Sequence, residues 1–299
     1  MLIRTLHARG RLSLALVLLL ASTMCTTGPG VGPPPPGTTN VLVGAGDIAD
    51  CGSSGDEASA ALLDGIPGTV FTAGDNAYDD GSAANFAQCY APSWGRHKAR
   101  TRPSPGNHDY NTSGAADYFA YYGVSAGEAG KGYYSYDLGD WHIVSLNSNV
   151  DMSAGSTQES WLRADLAATT RPCTLAYWHH SRFSSSSNHG NQSQTEPLWD
   201  ALYDAGAEIV VSGHDHTYER FAPQTATGAA DPARGIREFV VGTGGTGHYG
   251  LATPEPNSEA RDNDTFGVLK LTLGPGTYAW EFVPVAGKSF TDSGSGSCH

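Results

Sequence analysis

EIVVSGHDH, residues 208–216, is an apolar run of strand length that halts at a glycine and then presents His214, Asp215 and His216. NVLVGAGD (40–47), GTVFTAGD (68–75) and CTLAYWHH (173–180) follow the same plan. Short apolar runs bounded by turn residues read as buried strands. Helical patterns lie between them: DEASAALLDGI (56–66), STQESWLRADLAAT (156–169) with a Ser156/Glu159 capping box, and QTEPLWDALYDAG (194–206). Strand alternating with helix indicates an α/β class. Two further stretches read as hairpins: GYYSYDLGDWHIVSLNSN (132–149), turning at Leu138-Gly139-Asp140, and VLKLTLGPGTYAWEFVPV (268–285), turning at Gly274-Pro275-Gly276. Hairpins inside an α/β chain predict mixed sheets rather than one parallel sheet. The tail GKSFTDSGSGSCH (287–299) is polar and reads as a loop.

The other end of the chain has a different character. In MLIRTLHARGRLSLALVLLLASTMC, Arg4, Arg9 and Arg11 precede an apolar run from Leu12 to Ala21, followed by Ser22 and Thr23. That order predicts an export signal over residues 1–25, and the run is shorter than the roughly 20 residues a spanning helix needs. Cys25 is a candidate lipid-anchor position, so anchored and free forms both stay open. Residues 26–40 are a Pro/Gly-rich linker, and a catalytic domain is expected over 41–299. Cys51, Cys89, Cys173 and Cys298 fall in that domain. An even count in an exported chain implies two disulfides, with three pairings open. Cys51 follows one predicted strand and Cys173 begins another, at opposite ends of a sheet. That placement favours Cys51 with Cys89 and Cys173 with Cys298.

A net charge of −13 over 299 residues argues against a nucleic-acid coat or an anionic membrane surface as partner. The informative polar residues are grouped: Asp47, Asp75, Asn107-His108-Asp109, His179-His180 and His214-Asp215-His216 each follow a strand-like run. Loops at one edge of an α/β sheet are where ligands bind. Carboxylates bridging hard cations, imidazoles and a neutral Asn oxygen together suit a two-metal centre, and no cysteine belongs to the set. Two such ions can hold a hydroxide and clamp a phosphoryl oxygen during in-line attack.

The ordered series G46-D47, G74-D75, G106-N107-H108-D109, H179 and G213-H214-D215-H216 resembles the calcineurin-like metallophosphoesterase superfamily. The resemblance spans Asp47 to His216. It implies a four-layer α/β/β/α sandwich of two mixed sheets, with the metal site in loops at strand C-terminal ends. In that superfamily the first motif usually reads Asp-x-His. Here it reads D47-I48-A49, and Ala49 has no ligating atom. The purple acid phosphatase branch lacks that His and has GDxxY, as in G74-D75-N76-A77-Y78; GHDHTYER (213–220) is similar to its last motif. The resemblance then implies a first metal on Asp47, Tyr78, His216 and a bridging Asp75. The second would take Asp75, Asn107, His179 and His214. His179 is favoured over His180 because the family reads His-x-Pro, with Ser181 standing here in place of Pro.

Formal charge agrees with the tyrosine. Two divalent ions, two aspartates and a hydroxide sum to about +1; a phenolate lowers this to about zero, and a trivalent ion restores it. Fe³⁺, a hard cation that favours phenolate oxygen, is therefore expected in the first site, with Zn²⁺, Mn²⁺ or Fe²⁺ in the second.

The expected function is a secreted phosphomonoesterase working by attack of a metal-bound hydroxide on a small phosphate ester. His108, oriented by Asp109, is the candidate proton donor, and the resemblance implies that His108 and His189 stand at positions facing the substrate. A phosphodiesterase or nucleotidase of the same fold is the alternative; a secreted metal- or phosphate-binding protein without turnover is the alternative from another class. Nucleic acid is expected only in the form of nucleotide substrates, and the oligomeric state is not legible. GTGGTGHYG (242–250) is either a glycine-rich turn or a site-lining loop carrying His248.

Overall fold

The computed structural model describes residues 1–2 and 39–299. The export-signal, Cys25 and most of the linker expectations fall on residues outside these. Among the described residues no helix is long and apolar enough to cross a membrane. The described strands and helices belong to the unit Pro33–His299.

In chain order the elements are β1 (Asn40–Ala45), α1 (Gly55–Gly65), β2 (Thr69–Ala73), α2 (Ala83–Asn85), β3 (Thr101–Ser104), α3 (Ala116–Tyr122), β4 (Tyr134–Leu138), β5 (Trp141–Ser145), α4 (Thr157–Ala168) and β6 (Cys173–His180). They continue as α5 (Glu196–Asp204), β7 (Ile209–Gly213), β8 (Tyr218–Phe221), β9 (Arg237–Val241), β10 (Ser258–Asp262), β11 (Gly267–Gly274), β12 (Thr277–Pro284) and β13 (Ser293–Ser297). Two mixed sheets result, ordered β13-β12-β11-β1-β2-β3 and β10-β8-β9-β7-β6-β5-β4. In each, a parallel segment (β1-β2-β3 and β5-β6-β7-β9) adjoins antiparallel strands.

Alternation along the central strands explains the layering. In β6, Leu175 and Tyr177 enter the core between the sheets, while Ala176 and Trp178 enter the one beneath α4 and α5. In β7, Ile209 and Val211 face one way and Val210 the other. Successive side chains of a strand point to opposite faces, so a continuous apolar run marks a sheet covered on both. Leu162 and Leu166 of α4, with Leu198 and Leu202 of α5, supply the outer cover of the second sheet. Leu63 of α1 joins the first core. The Ser156 side chain caps α4 by accepting from Glu159 N at 3.2 Å; the Glu159 carboxylate returns to Gly155 N at 3.0 Å, one residue earlier than a simple capping box.

Both hairpins turn where the sequence places them. Cys51 pairs with Cys89 and Cys173 with Cys298. The tail differs from its reading as a loop: SGSGS forms edge strand β13 on β12. The reason is steric fit. Gly294 and Gly296 lie opposite Trp280 and Tyr278, and a Cβ on either would come within 2.3 or 2.4 Å of those rings. Glycine lets backbone lie flat on aromatic faces, and the Cys298 bridge holds it there.

Candidate active site

Strand ends deliver the donors. Asp47 follows β1, Asp75 follows β2, Asn107 follows β3, His179 lies near the end of β6 and His214 follows β7, while Tyr78 and His216 come from the loops beyond. Asp47, Asp75 and His214 have φ of 59°, 47° and 71°. This left-handed region is uncommon for residues other than glycine, and strain of this kind concentrates at functional sites. The chain also passes very close to itself here. A Cβ at Gly106 would sit 2.1 Å from Asp75 Oδ1, and one at Gly213 would sit 2.6 Å from Asp47 Oδ2.

Two donor sets form around one shared atom. In the first, Tyr78 Oη lies 2.9 Å from Asp47 Oδ1, 2.8 Å from Asp75 Oδ2 and 3.3 Å from His216 Nε2. In the second, His179 Nε2 lies 3.3 Å from Asp75 Oδ2, 3.0 Å from Asn107 Oδ1 and 3.2 Å from His214 Nδ1. Asp75 Oδ2 belongs to both.

The tautomers are fixed from outside the cluster. His179 Nδ1 donates to Ala73 O at 2.9 Å and His216 Nδ1 to Gly247 O at 2.6 Å, which leaves each Nε2 lone pair facing inward. Lone pairs converging with two buried carboxylates need positive charge among them.

Electrostatics point the same way. Burial pushes the Tyr78 phenol well up, and the charges of Asp47 and Asp75 push it further, so this hydroxyl ionises only beside a cation. Burial opposes charge on His179, but Asp75 outweighs it and raises the imidazole to about 9, so without an ion a proton stands on the inward Nε2 that a cation would displace. Burial would also raise Asp75; His179 in turn holds it below the usual carboxylate range. His214 is kept neutral by burial and then by His179 and His180. The residues fit a pair of cations, with Asp47, Asp75 and His179 close enough to share one.

At the rim, His108 N donates to Asp75 Oδ1 at 2.8 Å, its Nδ1 meets Asp79 O, and its side chain is 33% exposed. The expected orientation of His108 by Asp109 is corrected by this geometry. Asp109 is fully buried and instead accepts from Gly106 N at 2.9 Å and Asn76 Nδ2 at 2.9 Å, bracing the two loops that carry Asn107 and Asp75. Burial, then Asp75, pushes it up to about 7. His189 stacks on His214 with ring centroids 4.0 Å apart, and its backbone N–H donates to Asp215 Oδ1 at 3.3 Å. His180 bonds Ser148 Oγ at 2.7 Å through Nδ1, and its ring packs on His214 at 4.3 Å.

A calcineurin-like phosphoesterase family model matches residues 30–218. The chain belongs to the calcineurin-like phosphoesterase family. Its likeness within that family is to purple acid phosphatases. It is 34% identical over 157 residues to purple acid phosphatase 22 of Arabidopsis thaliana, covering 49% of this chain and 35% of that protein. With purple acid phosphatase 21 of the same plant it is 30% identical over 217 residues, covering 63% of this chain and 49% of the relative. The chain thus spans between about a third and a half of these relatives. A purple acid phosphatase from yellow lupin seeds shares the fold, with a TM-score of 0.70 at 20% identity over 89% of this chain and 55% of that one.

Within this phosphoesterase fold, all seven donors named from sequence meet in one cluster, and His108 and His189 border it. The loop 242–250 behaves otherwise than its histidine suggests. His248 packs on Phe266 at 4.2 Å, whereas Tyr249 stacks on His216 at 3.8 Å. Tyr122 is a further contributor that sequence reasoning missed: its hydroxyl donates to Asn76 Oδ1 at 2.9 Å and fixes that amide between two donor residues. An aromatic beside glycines after β9 was the one sequence signal for Tyr249; nothing marked Tyr122.

Proposed function

We propose that the protein is a secreted binuclear-metal phosphomonoesterase. The observation that carries this reading is Asp75 Oδ2 standing 2.8 Å from Tyr78 Oη and 3.3 Å from His179 Nε2, one carboxylate oxygen common to two donor sets. Asp47, Tyr78, His216 and Asp75 would hold one ion, a ferric one suiting the phenolate; Asp75, Asn107, His179 and His214 would hold a divalent ion such as Zn²⁺, Mn²⁺ or Fe²⁺. When bound, such a pair lowers the pKa of a water and neutralises charge developing on the phosphoryl oxygens.

The chain's own residues do the rest. Gly74, Gly106 and Gly213 let the donor loops approach one another, and the Ala73 and Gly247 carbonyls hold two imidazoles in the ligating tautomer. His108 keeps its Nδ1 proton on the Asp79 carbonyl, so as an imidazolium it donates from Nε2 to the departing alkoxide. Two disulfides and the kinship to purple acid phosphatases support an oxidising, extracytoplasmic location.

The test is metal analysis of the purified protein beside a panel of phosphomonoesters and diesters. About two ions per chain and multiple turnover on monoesters are expected. Two ions with faster diester release would move the reading to a phosphodiesterase, and two ions without turnover would make it a binding protein.

A further inference from the structure

Glu208 stands at the head of the apolar run of β7, an acid at the edge of a hydrophobic core, and it is 2% exposed. It lies at the end of β7 opposite to His214, away from the donor loops. Backbone bonds fix its place: Glu208 N donates to Thr174 O at 3.0 Å, and Arg237 N donates to Glu208 O at 2.9 Å. The side chain turns back on β6, where Oε2 accepts from Thr174 N at 2.6 Å. Among the described residues no cationic side chain bonds this carboxyl, and Oε1 has no hydrogen-bond partner.

Beside this acid stands the Cys173–Cys298 bridge. Cys173 Sγ, Cys298 Sγ and a Glu208 carboxylate oxygen all lie within 4.8 Å of one another. The two sulfurs are unequal. Cys173 is 1% exposed, whereas Cys298 is only partly buried, and its neighbours Ser297 and His299 line a cavity of about 280 Å³ that also reaches Glu208. A thiolate arriving from solvent therefore meets Cys298 first, and Cys173 is the sulfur that leaves. A bare thiolate is costly in apolar surroundings, so a proton has to meet it there. Burial pushes the Glu208 carboxyl up to about 7, which the Thr174 N–H offsets only in part, so the group holds a proton in mildly acidic solution.

The other charged or titratable groups around the cavity are Arg237 on β9, Tyr278 on β12, His299 on the tail, and Asp231 and Arg234 in the loop after β8. Arg237 is engaged with Phe221 O at 2.8 Å and Glu259 at 2.7 Å, and Asp231 with Tyr203 at 2.6 Å. Burial raises the Tyr278 phenol and lowers the His299 imidazole, so in neutral solution neither competes with Glu208.

We propose that the Cys173–Cys298 bridge is an exchangeable redox site with Glu208 as its proton donor and acceptor, its partner being a dithiol or, in the closing direction, the corresponding disulfide. One thiolate of the dithiol attacks Cys298 Sγ, the S–S bond breaks, its electron pair passes to Cys173 Sγ, and the Glu208 proton moves to that sulfur. The second thiol then attacks the mixed disulfide and displaces Cys298, which takes up the proton that thiol lost. The dithiol is oxidised to its disulfide, the bridge is reduced to two thiols, and Glu208 recovers a proton from solvent. In reverse, the carboxylate takes the Cys173 proton as this sulfur closes the bridge. Opening unties β13 from β6, since Cys298 follows the one and Cys173 begins the other.

The experiment follows reduction of the full chain by dithiothreitol from mildly acidic to mildly alkaline pH, quenching with an alkylating agent and mapping the labelled cysteines. Each rate is divided by the dithiothreitol thiolate concentration. For Cys173–Cys298 in wild type this normalised rate should fall at least about tenfold as pH rises through about 7. In Glu208→Gln it should be flat, and on the acid side at least about tenfold below wild type, while His299→Asn keeps the fall. A flat wild-type profile, or a fall that persists in Glu208→Gln, overturns the proposal. The Cys51–Cys89 bridge is read in the same digests, and a parallel fall there would mean that acid loosens the whole fold, which equally overturns it. If Glu208→Gln does not fold, the other two profiles decide: a fall kept in His299→Asn upholds Glu208, and a fall lost there transfers the role to the histidine.

Discussion

Because Asp75 Oδ2 serves both donor sets, loss of its charge should empty both sites, whereas loss of His214 should empty one. The magnitude follows from linkage. An ion at about 100 times its Kd stabilises the folded chain by about 2.7 kcal/mol per site. For a domain of this size 1 kcal/mol moves Tm by about 2–4 °C, so each site contributes about 5–11 °C and the pair about 11–22 °C.

Protein stripped by chelation and titrated with Zn²⁺, which accepts N and O donors, would be followed by thermal melting and by bound-metal analysis on the same samples. Wild type should bind two ions and show the full shift. His214→Ala should bind one and show about half. Asp75→Asn, nearly isosteric and tolerant of the left-handed backbone that φ of 47° demands, should show less than about 5 °C. Each shift is measured within one variant, so the cost of the substitution to the apo protein cancels. Asp75→Asn retaining two ions, or more than half the wild-type shift, would refute the shared-ligand reasoning. Turnover should fall at least about a hundredfold in both variants.

Further outcomes are expected. His108→Ala should lower kcat on alkyl phosphates by about 10²–10⁴ and far less on an activated aryl phosphate that leaves without a proton; equal losses would make His108 a positioning group. Tyr78→Phe keeps the ring but removes the hydroxyl that meets Asp47 and Asp75, so iron-loaded protein should lose its phenolate-to-iron visible band. A coloured Tyr78→Phe protein with full iron would exclude ligation. Away from the site, His142 bonds Asp165 at 2.8 Å and Asp137 at 3.1 Å; burial lowers its pKa, but the two carboxylates together raise it above the ordinary value. A raised histidine stabilises most below the unfolded pKa of about 6.5, and that contribution is lost as pH rises through the folded value. Melting curves should therefore show His142→Gln costing more stability at pH 6 than at pH 9, and a pH-independent difference would mean the imidazole is not charged in the fold.

The strands that carry the donors were legible because they are apolar on both faces: β1, β2, β6 and β7 sit between two layers and leave no polar alternation to confuse the reading. β3 gave a weaker signal, since TRPS is short and contains Pro103; it is an edge strand, paired on one side with β2. β13 was hidden for a different reason. Its glycines carry no propensity for strand, and only Tyr278 and Trp280 on β12 make them fit. The seven donors were readable as residue types after strands. The role of Asp109 was not, because adjacency to His108 in sequence suggested a partnership that the turn at Asn107–Asp109 directs elsewhere. Tyr249 reaches the site from a glycine-rich loop in which His248 drew the reading, and Tyr122 from a helix with no local pattern, so tertiary packing reveals their contacts.

The departure at Ala49 and the tyrosine at 78 are one feature rather than two. Ala49 is fully buried, and its backbone pairs directly with the second donor loop: Ala49 N donates to Asn76 O at 3.2 Å, and Tyr78 N donates to Ala49 O at 2.7 Å. That short parallel bridge between Ala49 and Ala77 draws the loop after β2 against the loop after β1. With the backbones this close, a small side chain at 49 leaves space, and the phenol one residue past the bridge enters the cluster beside Asp47. A larger residue at 49 would have to displace buried neighbours, since interiors are packed without room to spare. The exchange of imidazole for phenol therefore carries an electrostatic consequence built into the backbone. It places an acidic oxygen, protonated unless a strong cation is near, between two carboxylates that, among the described residues, have no Lys or Arg as bonded partner. Neutralising three oxygens there calls for a higher charge than an imidazole site needs, and this is the physical basis for expecting a trivalent ion in the first position.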